Sequence, residues 1–303
     1  MEPKFFAAPM QGLTEAPWRR LHRASPWRAD EYCAPFLRME RGEPRRKELR
    51  DLAADPLALP QVIFRDLDEF LALTDALHCA GHSRIDLNLG CPFPPQVKKG
   101  RGAGALLNLR LLEAVADAMD SRPGLTFSLK MRPGVDEPDS WRAILPIINR
   151  MPLDHVAIHP RLIADPYDGP LLLDQFALMA AEIEHPVVYN GSIDSPADID
   201  RILQLAPSVA GIMIGRGLIG RPTLIAEWRA GSELQPAERA RALRRINAEL
   251  FNEMSRTLCG DTQILQKIKP FWLYAPEEII GRKTLKAIKK AVTIKAYEAA
   301  LKL

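Results

Sequence analysis

PVVYNGSIDSPADIDRILQLAPSVAGIMIGRG (186–217) contains one complete unit of a repeating pattern. It opens with a short apolar, β-prone run, PVVYNG (186–191). It passes through a turn into PADIDRILQLA (196–206), whose apolar residues fall three to four apart, and it ends in a second β-prone run, GIMIGRG (211–217). That is strand, helix and strand in sequence. Working outward, the same kind of run recurs at FFAAPM (5–10), EYCAPF (31–36), LPQVIF (59–64), RIDLNLG (84–90), LTFSLKMR (125–132) and HVAIHP (155–160), with starts 25 to 41 residues apart. Helical patterns fill gaps between them, as in DEFLALTDALHCA (68–80), LRLLEAVADAM (109–119) and SWRAILPIINRM (140–151). Eight strands alternating with helices predict an α/β fold, a (β/α)8 TIM barrel, which usually takes roughly 250 residues. A doubly wound open sheet would call for a G-x-G-x-x-G turn after the first strand, and PMQGLTEAP has none.

After Trp228 the pattern changes. SELQPAERARALRRINAELFNEMSRTL begins at a proline-marked helix start and runs long and basic. KTLKAIKKAVTIKAYEAALKL carries Leu285, Ile288, Val292, Ala296 and Ala299 near helical spacing. This predicts a barrel domain over 1–230 and an all-helical C-terminal domain over 231–303. The whole chain of 303 residues has a net charge of +3, yet residues 236–303 hold 14 Lys and Arg against 7 Asp and Glu. A basic tail on a slightly acidic body points to an anionic partner. Apolar content of 47% and charged content of 26% are those of a soluble globular protein. No run is long enough to span a membrane and no signal peptide stands out, so a cytoplasmic protein is expected. Cys33, Cys79, Cys91 and Cys259 lie far apart without a C-x-x-C pair, which reads as reduced thiols with no zinc site.

Chemistry in such a barrel sits where the strands end, because the loops there converge on one mouth. The unusual residues fall at those places: Pro9, Met10 and Gln11 after the first strand, Gln61 in the third, Asn88 and Cys91 in the fourth, Lys130 in the fifth, His159 and Arg161 in the sixth. Asn190, Gly191 and Ser192 end the seventh, and Gly215, Arg216 and Gly217 the eighth. Glycines after strands seven and eight let backbone N–H groups face an anion, so a phosphate site is expected there with Arg216 as a partner. His159 and Arg161 alternate by two and so point the same way. Cys33 and Cys79 read as small core hydrophobes. Cys91 does not, because Gly90 and Pro92 break its strand and a basic, flexible loop, VKKGRGAG, follows. Its thiol is suited either to donating a proton or, beside a histidine, to nucleophilic attack.

Together these residues resemble the tRNA-dihydrouridine synthase family. AAPMQGLTEAPWRRL resembles its opening segment, and DLNLGCP followed by VKKGRGAGALL its active-site loop; LPQVIF, SLKMRPG, IHPRL, YNGSI and MIGRG continue the series in order. The resemblance implies an FMN-containing barrel with a helical domain that grips tRNA, reducing uridine to 5,6-dihydrouridine with NADPH as reductant; a monomer without a metal is expected. It implies that Pro9, Met10, Gln11, Gln61, Lys130, Asn190, Gly191, Ser192, Gly215 and Arg216 hold FMN. Cys91 would donate the proton to C5 while hydride reaches C6, with Asn88, His159 and Arg161 beside the flavin or the uracil. The chain departs from the family pattern in a longer FPPQ segment after Cys91, in Leu162 after Arg161 and in Ser192. The competing enzyme class is an FMN barrel acting on a free pyrimidine, like dihydroorotate dehydrogenase, which has no need of a basic tail.

Overall fold

Eight short parallel strands follow one another around a ring. In the computed structural model, which describes residues 2–165 and 169–302, these are β1 (Lys4–Ala7), β2 (Glu31–Tyr32), β5 (Gln61–Val62), β6 (Arg84–Leu89), β7 (Thr126–Met131), β8 (Leu153–Ile158), β9 (Val187–Asn190) and β10 (Gly211–Ile214). They lie in the order β2-β1-β10-β9-β8-β7-β6-β5. The two ends meet through parallel bridges from Cys33 to Leu59 and from Leu37 to Val62, so the sheet closes. This is the expected barrel, with its strands at the expected places.

Residues two apart on a strand share a face, which gives each barrel strand an inward and an outward set. The outward set packs under the helices in one large apolar cluster that includes Phe5, Leu87, Leu129, Ile158, Tyr189 and Ile212. A second, smaller cluster of Phe6, Ala8, Cys33, Leu59, Ala157, Val188 and Met213 is separate from it and fills the lumen. Here the lumen is also polar, since Ser128 donates to Asp86 at 2.7 Å and both are buried. Polar groups in such a core must be paired to be tolerated.

Three features differ from the sequence-based expectation. A hairpin, β3 (Met39–Glu40) with β4 (Glu43–Pro44), and a helix, Arg46–Ala53, are inserted between the second and third barrel strands. Its turn takes Arg41 and Gly42 to φ values of 55° and 84°, the both-positive pairing usually announced by Asn-Gly or Asp-Gly. Arg-Gly carries no such signal. The C-terminal stretch forms two helices, Arg282–Lys290 and Ile294–Leu301, where one apolar stripe was expected. Ala291 turns extended and the Thr293 side chain caps the second helix, accepting from the Ala296 N–H at 3.1 Å. The break rotates the buried face onto Tyr297 and Ala300, and Val292 is left 78% exposed. Cys33 is buried as expected, but Cys79 is exposed. The helix Leu67–Cys79 buries Phe70, Leu73, Thr74 and Leu77, and Cys79 lies off that face.

The helical segment that follows the barrel packs against its mouth. Pro236–Thr257 lies on Ala16–Arg23, with an ion pair between Arg20 and Glu253. The single carboxylate of Glu15 accepts from Lys47 of the inserted helix at 2.7 Å and from Lys267 of the tail at 2.8 Å. The turn Lys269–Tyr274 crosses Gly220, where an added Cβ would stand 2.0 Å from the Tyr274 carbonyl oxygen. Backbone faces backbone there, so neither side can give. Gly220→Ala is expected to lower stability by on the order of 3 kcal/mol, read as a fall in melting temperature; an unchanged melting temperature would contradict this packing.

Candidate active site at the barrel mouth

The mouth opens into a cleft of ≈ 1040 Å³ at the C-terminal ends of the strands. Pro9, Met10, Gln11, Asn88, Cys91, Lys130, His159, Asn190, Gly191, Ser192, Gly215 and Arg216 all line it. Gln61 and Arg161 do not; they stand behind the wall, 1% and 3% exposed, and each grips a residue that lines it. Asn88 donates its amide N–H to Gln61 Oε1 at 2.7 Å. Arg161 donates to His159 Nε2 and to Ser192 Oγ, both at 2.9 Å, and to the Gly169 carbonyl at 2.7 Å.

The first loop is shaped by Thr14. Its hydroxyl accepts from the Met10 N–H at 2.7 Å and donates to the Ala8 carbonyl at 3.1 Å, closing the turn that presents Pro9 and Met10. Arg19, fully buried, holds this turn from below, donating to the Thr14 carbonyl at 2.7 Å and to Asp55 and Asp51 at 2.7 and 2.9 Å. A buried guanidinium is acceptable only with such complete pairing.

The segment after Cys91 was expected to be a flexible loop and is instead folded. FPPQ forms part of a helical turn, Pro94–Val97, and Gly102–Leu107 is a second turn. The three glycines have distinct reasons. Gly100 takes φ 73° and Gly102 φ 58°, a region costly for other residues. At Gly102 a Cβ would stand 2.9 Å from Cys91 Cβ, and at Gly104 one would stand 2.5 Å from the Val97 carbonyl. Arg101 between them is buried and donates to Glu69 and to the Met39 carbonyl, tying the loop to a barrel helix and to the inserted hairpin. Cys91 thus sits half-buried on a packed platform. Burial pushes its thiol pKa up, while the Phe93 backbone N–H and the charges of Arg132 and Lys130 act in the opposite sense. The group is a protonated thiol at neutral pH.

Three cations converge on the same space. Lys130 has its pKa pushed down to about 8 by burial and by the charge of Arg132 beside it. Arg132 is 1% exposed and donates to the Leu162 carbonyl at 2.5 Å. Arg216 lies across the mouth. His159 is driven well below its usual pKa by burial and by these cations, so it is neutral. Arginine can only donate, so His159 Nε2 accepts and its proton resides on Nδ1.

The ends of β9 and β10 nest closely. A Cβ on Gly191 would meet Leu171 and His159 side chains at 3.1 and 3.3 Å; one on Gly215 would meet Met10 Sδ at 3.1 Å. At Gly217 it would stand 1.9 Å from the Ile193 carbonyl. Ser192 adopts φ 42°, a conformation uncommon for a residue with a side chain. Gly191, Gly215 and Gly217 all line the cleft, so these strand ends border it with backbone that carries no side chain.

Sequence reasoning overlooked Arg132, Thr14, Asp86, the rim residues Arg38, Arg45 and Lys47, and Tyr274 from the tail, which also lines the cleft. Arg132 was available, since it lies two residues after Lys130 and so shares its face. The rim residues come from the insertion, and Tyr274 from a segment far along the chain, with no local signal of where they would arrive.

A closed parallel barrel whose mouth gathers a thiol, cations, a neutral histidine and bare strand-end backbone defines a barrel enzyme. The chain belongs to the dihydrouridine synthase family: the family described as Dihydrouridine synthase (Dus) matches residues 6–296. Among relatives, tRNA-dihydrouridine synthase B of Pseudomonas syringae pv. tomato is 29% identical over 225 residues, covering 73% of this chain and 66% of that protein. A probable tRNA-dihydrouridine synthase of Rhodobacter capsulatus is 30% identical over 235 residues, covering 75% and 71%. The matches thus span about two thirds of those relatives' length. A solved structure titled as TcOYE with pHBA shares the fold at a TM-score of 0.50 and 11% identity, covering 77% of this chain and 90% of that one. Among the described residues, no helix is long and apolar enough to cross a membrane.

Proposed function

We propose that this protein reduces uridine in tRNA to 5,6-dihydrouridine, using bound FMN and NADPH as reductant. It would act as a cytoplasmic monomer, with residues 1–230 carrying the reaction and 231–303 holding RNA. The observation that carries the reading is Cys91, a thiol kept protonated on a packed platform at the mouth of a barrel of this family.

The residues present suit FMN. Met10, Met213 and Ile214 offer apolar surface for a planar ring, and Lys130 a cation beside it. The bare backbone at Gly191 and Gly215, with Arg216, suits the phosphate. Pro9, Gln11, Asn190 and Ser192 complete the cradle, and Gln61 supports it from beneath. When bound, the flavin supplies the hydride that reaches C6 of the uracil.

This chain's own residues do the rest. Cys91 Sγ gives its proton to C5 and then regains one from solvent. Lys130 balances negative charge near the cofactor ring. Neutral His159, presenting Nδ1–H, orients the base or the ring together with Asn88, and Arg161 holds His159 and Ser192 in place from behind the wall. The target base must leave the tRNA stack to enter the cleft, which requires a grip on flanking RNA. Exposed lysines of the tail and the rim residues Arg38, Arg45 and Lys47 lie suitably for phosphate contacts.

The test is reduction of a tRNA transcript by the FMN-loaded protein with NADPH, read by mass spectrometry of nucleosides. Dihydrouridine in tRNA is the expected product. Turnover of free uracil or orotate derivatives with none of tRNA would instead favour the free-pyrimidine class. The RNA grip has its own check. Lys286→Glu with Lys289→Glu should weaken tRNA binding at unchanged flavin content. It should also flatten the salt dependence by about 0.7 to 0.9 log units per log unit of salt for each phosphate no longer neutralised. An unaltered salt slope would remove these lysines from the RNA interface.

A further inference from the structure

Asp86 is the unexplained group of the barrel. It is fully buried beneath the mouth, and the mechanism above makes no use of it. Its carboxylate accepts from Ser128 Oγ at 2.7 Å and from Gln61 Nε2 at 2.6 Å. Gln61 Oε1 in turn accepts from Asn88 Nδ2 at 2.7 Å. Asn88 Oδ1 accepts from the backbone N–H groups of Gly90 at 3.2 Å and Cys91 at 2.9 Å. One unbroken line of hydrogen bonds therefore runs from the lumen to the residue that bears the thiol.

Both ends of this line give it one direction. Burial raises the Asp86 pKa against the opposing effects of His155, Gln61, Ser128 and Lys130, but Oδ2 accepts from Gln61 with or without a proton on the other oxygen, and a backbone N–H only donates. Two side-chain amides between them satisfy every contact in one orientation alone: both NH2 groups toward Asp86, both oxygens toward Cys91. Reversing either amide sets oxygen against oxygen or NH2 against N–H in a buried site, where an unmet polar group costs on the order of 1–3 kcal/mol. We propose that Asp86 is a positioning residue, which sets the orientation of Gln61 and Asn88 and through them fixes the backbone of Cys91 at the cleft. The inference rests on the proposed role of Cys91 for its catalytic consequence, but not for its geometry.

Asp86→Leu removes the acceptor and leaves the Gln61 NH2 group unmet in a buried site. Asp86→Asn keeps an acceptor: its Oδ1 faces Gln61 Nε2 and its NH2 faces Ser128 Oγ, whose hydroxyl accepts as readily as it donates. The experiment measures alkylation of Cys91 by iodoacetamide, mapped by peptide mass spectrometry on flavin-free, RNA-free protein. Asp86→Leu should raise the Cys91 rate by about tenfold, the equivalent of one displaced buried hydrogen bond. Asp86→Asn should hold it at that of the unaltered protein. In the loaded enzyme, kcat for tRNA reduction should fall in Asp86→Leu and be kept in Asp86→Asn, with KM for tRNA unmoved. If Asp86→Leu does not fold, Gln61→Leu, which breaks the line at its middle, serves as the damaging change for the alkylation measurement. Unchanged alkylation in the damaging variant, or an equal rise in Asp86→Asn, overturns the proposal. The expected alkylation pattern without tRNA reduction in any form, the unaltered protein included, would leave the positioning intact and sink the proposed function instead.

Discussion

Cys91→Ala is expected to lower uridine reduction by about 10² to 10⁴-fold, the usual contribution of a positioned general acid. Flavin content and tRNA affinity should stay as they are. The reasoning starts from the site's electrostatics. Burial raises the thiol pKa more than the Phe93 N–H and the cations lower it, so the proton is present at neutral pH. The loss of a methylene-sized group at a half-buried surface position disturbs little packing, since Gly102 and Gly104 hold the loop from beneath by backbone contact. The measurement is single-turnover reduction of tRNA by the reduced enzyme, alongside NADPH oxidation in the absence of tRNA. Flavin reduction should be unaffected, because it does not involve the thiol. Single-turnover reduction of tRNA at the unaltered rate would remove Cys91 from the reaction.

Lys130→Met carries the second large effect, and its two halves have opposite signs. Lys130 keeps a cation in a partly desolvated lumen, and its pKa falls from 10.5 to about 8. Below pH 8 the folded chain carries the charge at a cost. Between about 8 and 10.5 the unfolded chain binds a proton that the folded one does not, so the lysine makes stability rise with pH across that window. Above it the cost is gone. A shift of this size corresponds to on the order of 3 kcal/mol. Lys130→Met should therefore raise the melting temperature of the flavin-free protein at pH 7 and remove its share of the rise toward pH 10. The same change should loosen FMN, since the cation beside the ring is removed, with Kd expected to rise about tenfold, a loss on the order of 1.4 kcal/mol. Titration of apoprotein with FMN and thermal melts at pH 7 and pH 10 read the two halves. A less stable variant at pH 7 would contradict the desolvation account, and an unchanged FMN affinity would contradict the proposed contact.

Much of this was legible in the residues. The strands announced themselves by short β-prone runs at a regular interval, because each barrel strand must satisfy the same two-sided packing. The mouth was legible for the same reason: strand ends are where polar residues interrupt those runs, and Lys130 in FSLKMR or Cys91 in GCP cannot belong to ordinary core. Arg132 followed from Lys130 by alternation and was passed over. Other parts were not legible. The hairpin at Arg41-Gly42 lacks the usual turn residues, and the break at Ala291 to Thr293 is set by a cap that competes with a plausible helical stripe.

The sequence by itself determined the barrel, the family and the chemical groups at the mouth, since these depend on local periodicity and residue type, which the chain carries without folding. Only the tertiary structure decided which groups act on which. Gln61 is 27 residues from Asn88, and Glu15 is 252 from Lys267, yet each pair meets within hydrogen-bonding distance. Pairing of neighbouring strands brought the first together and docking of the C-terminal helices the second; at the buried Gln61–Asn88 contact burial then fixed the direction of the hydrogen bond, because a donor or acceptor left unmet in a low-dielectric interior is costly in a way no linear pattern records.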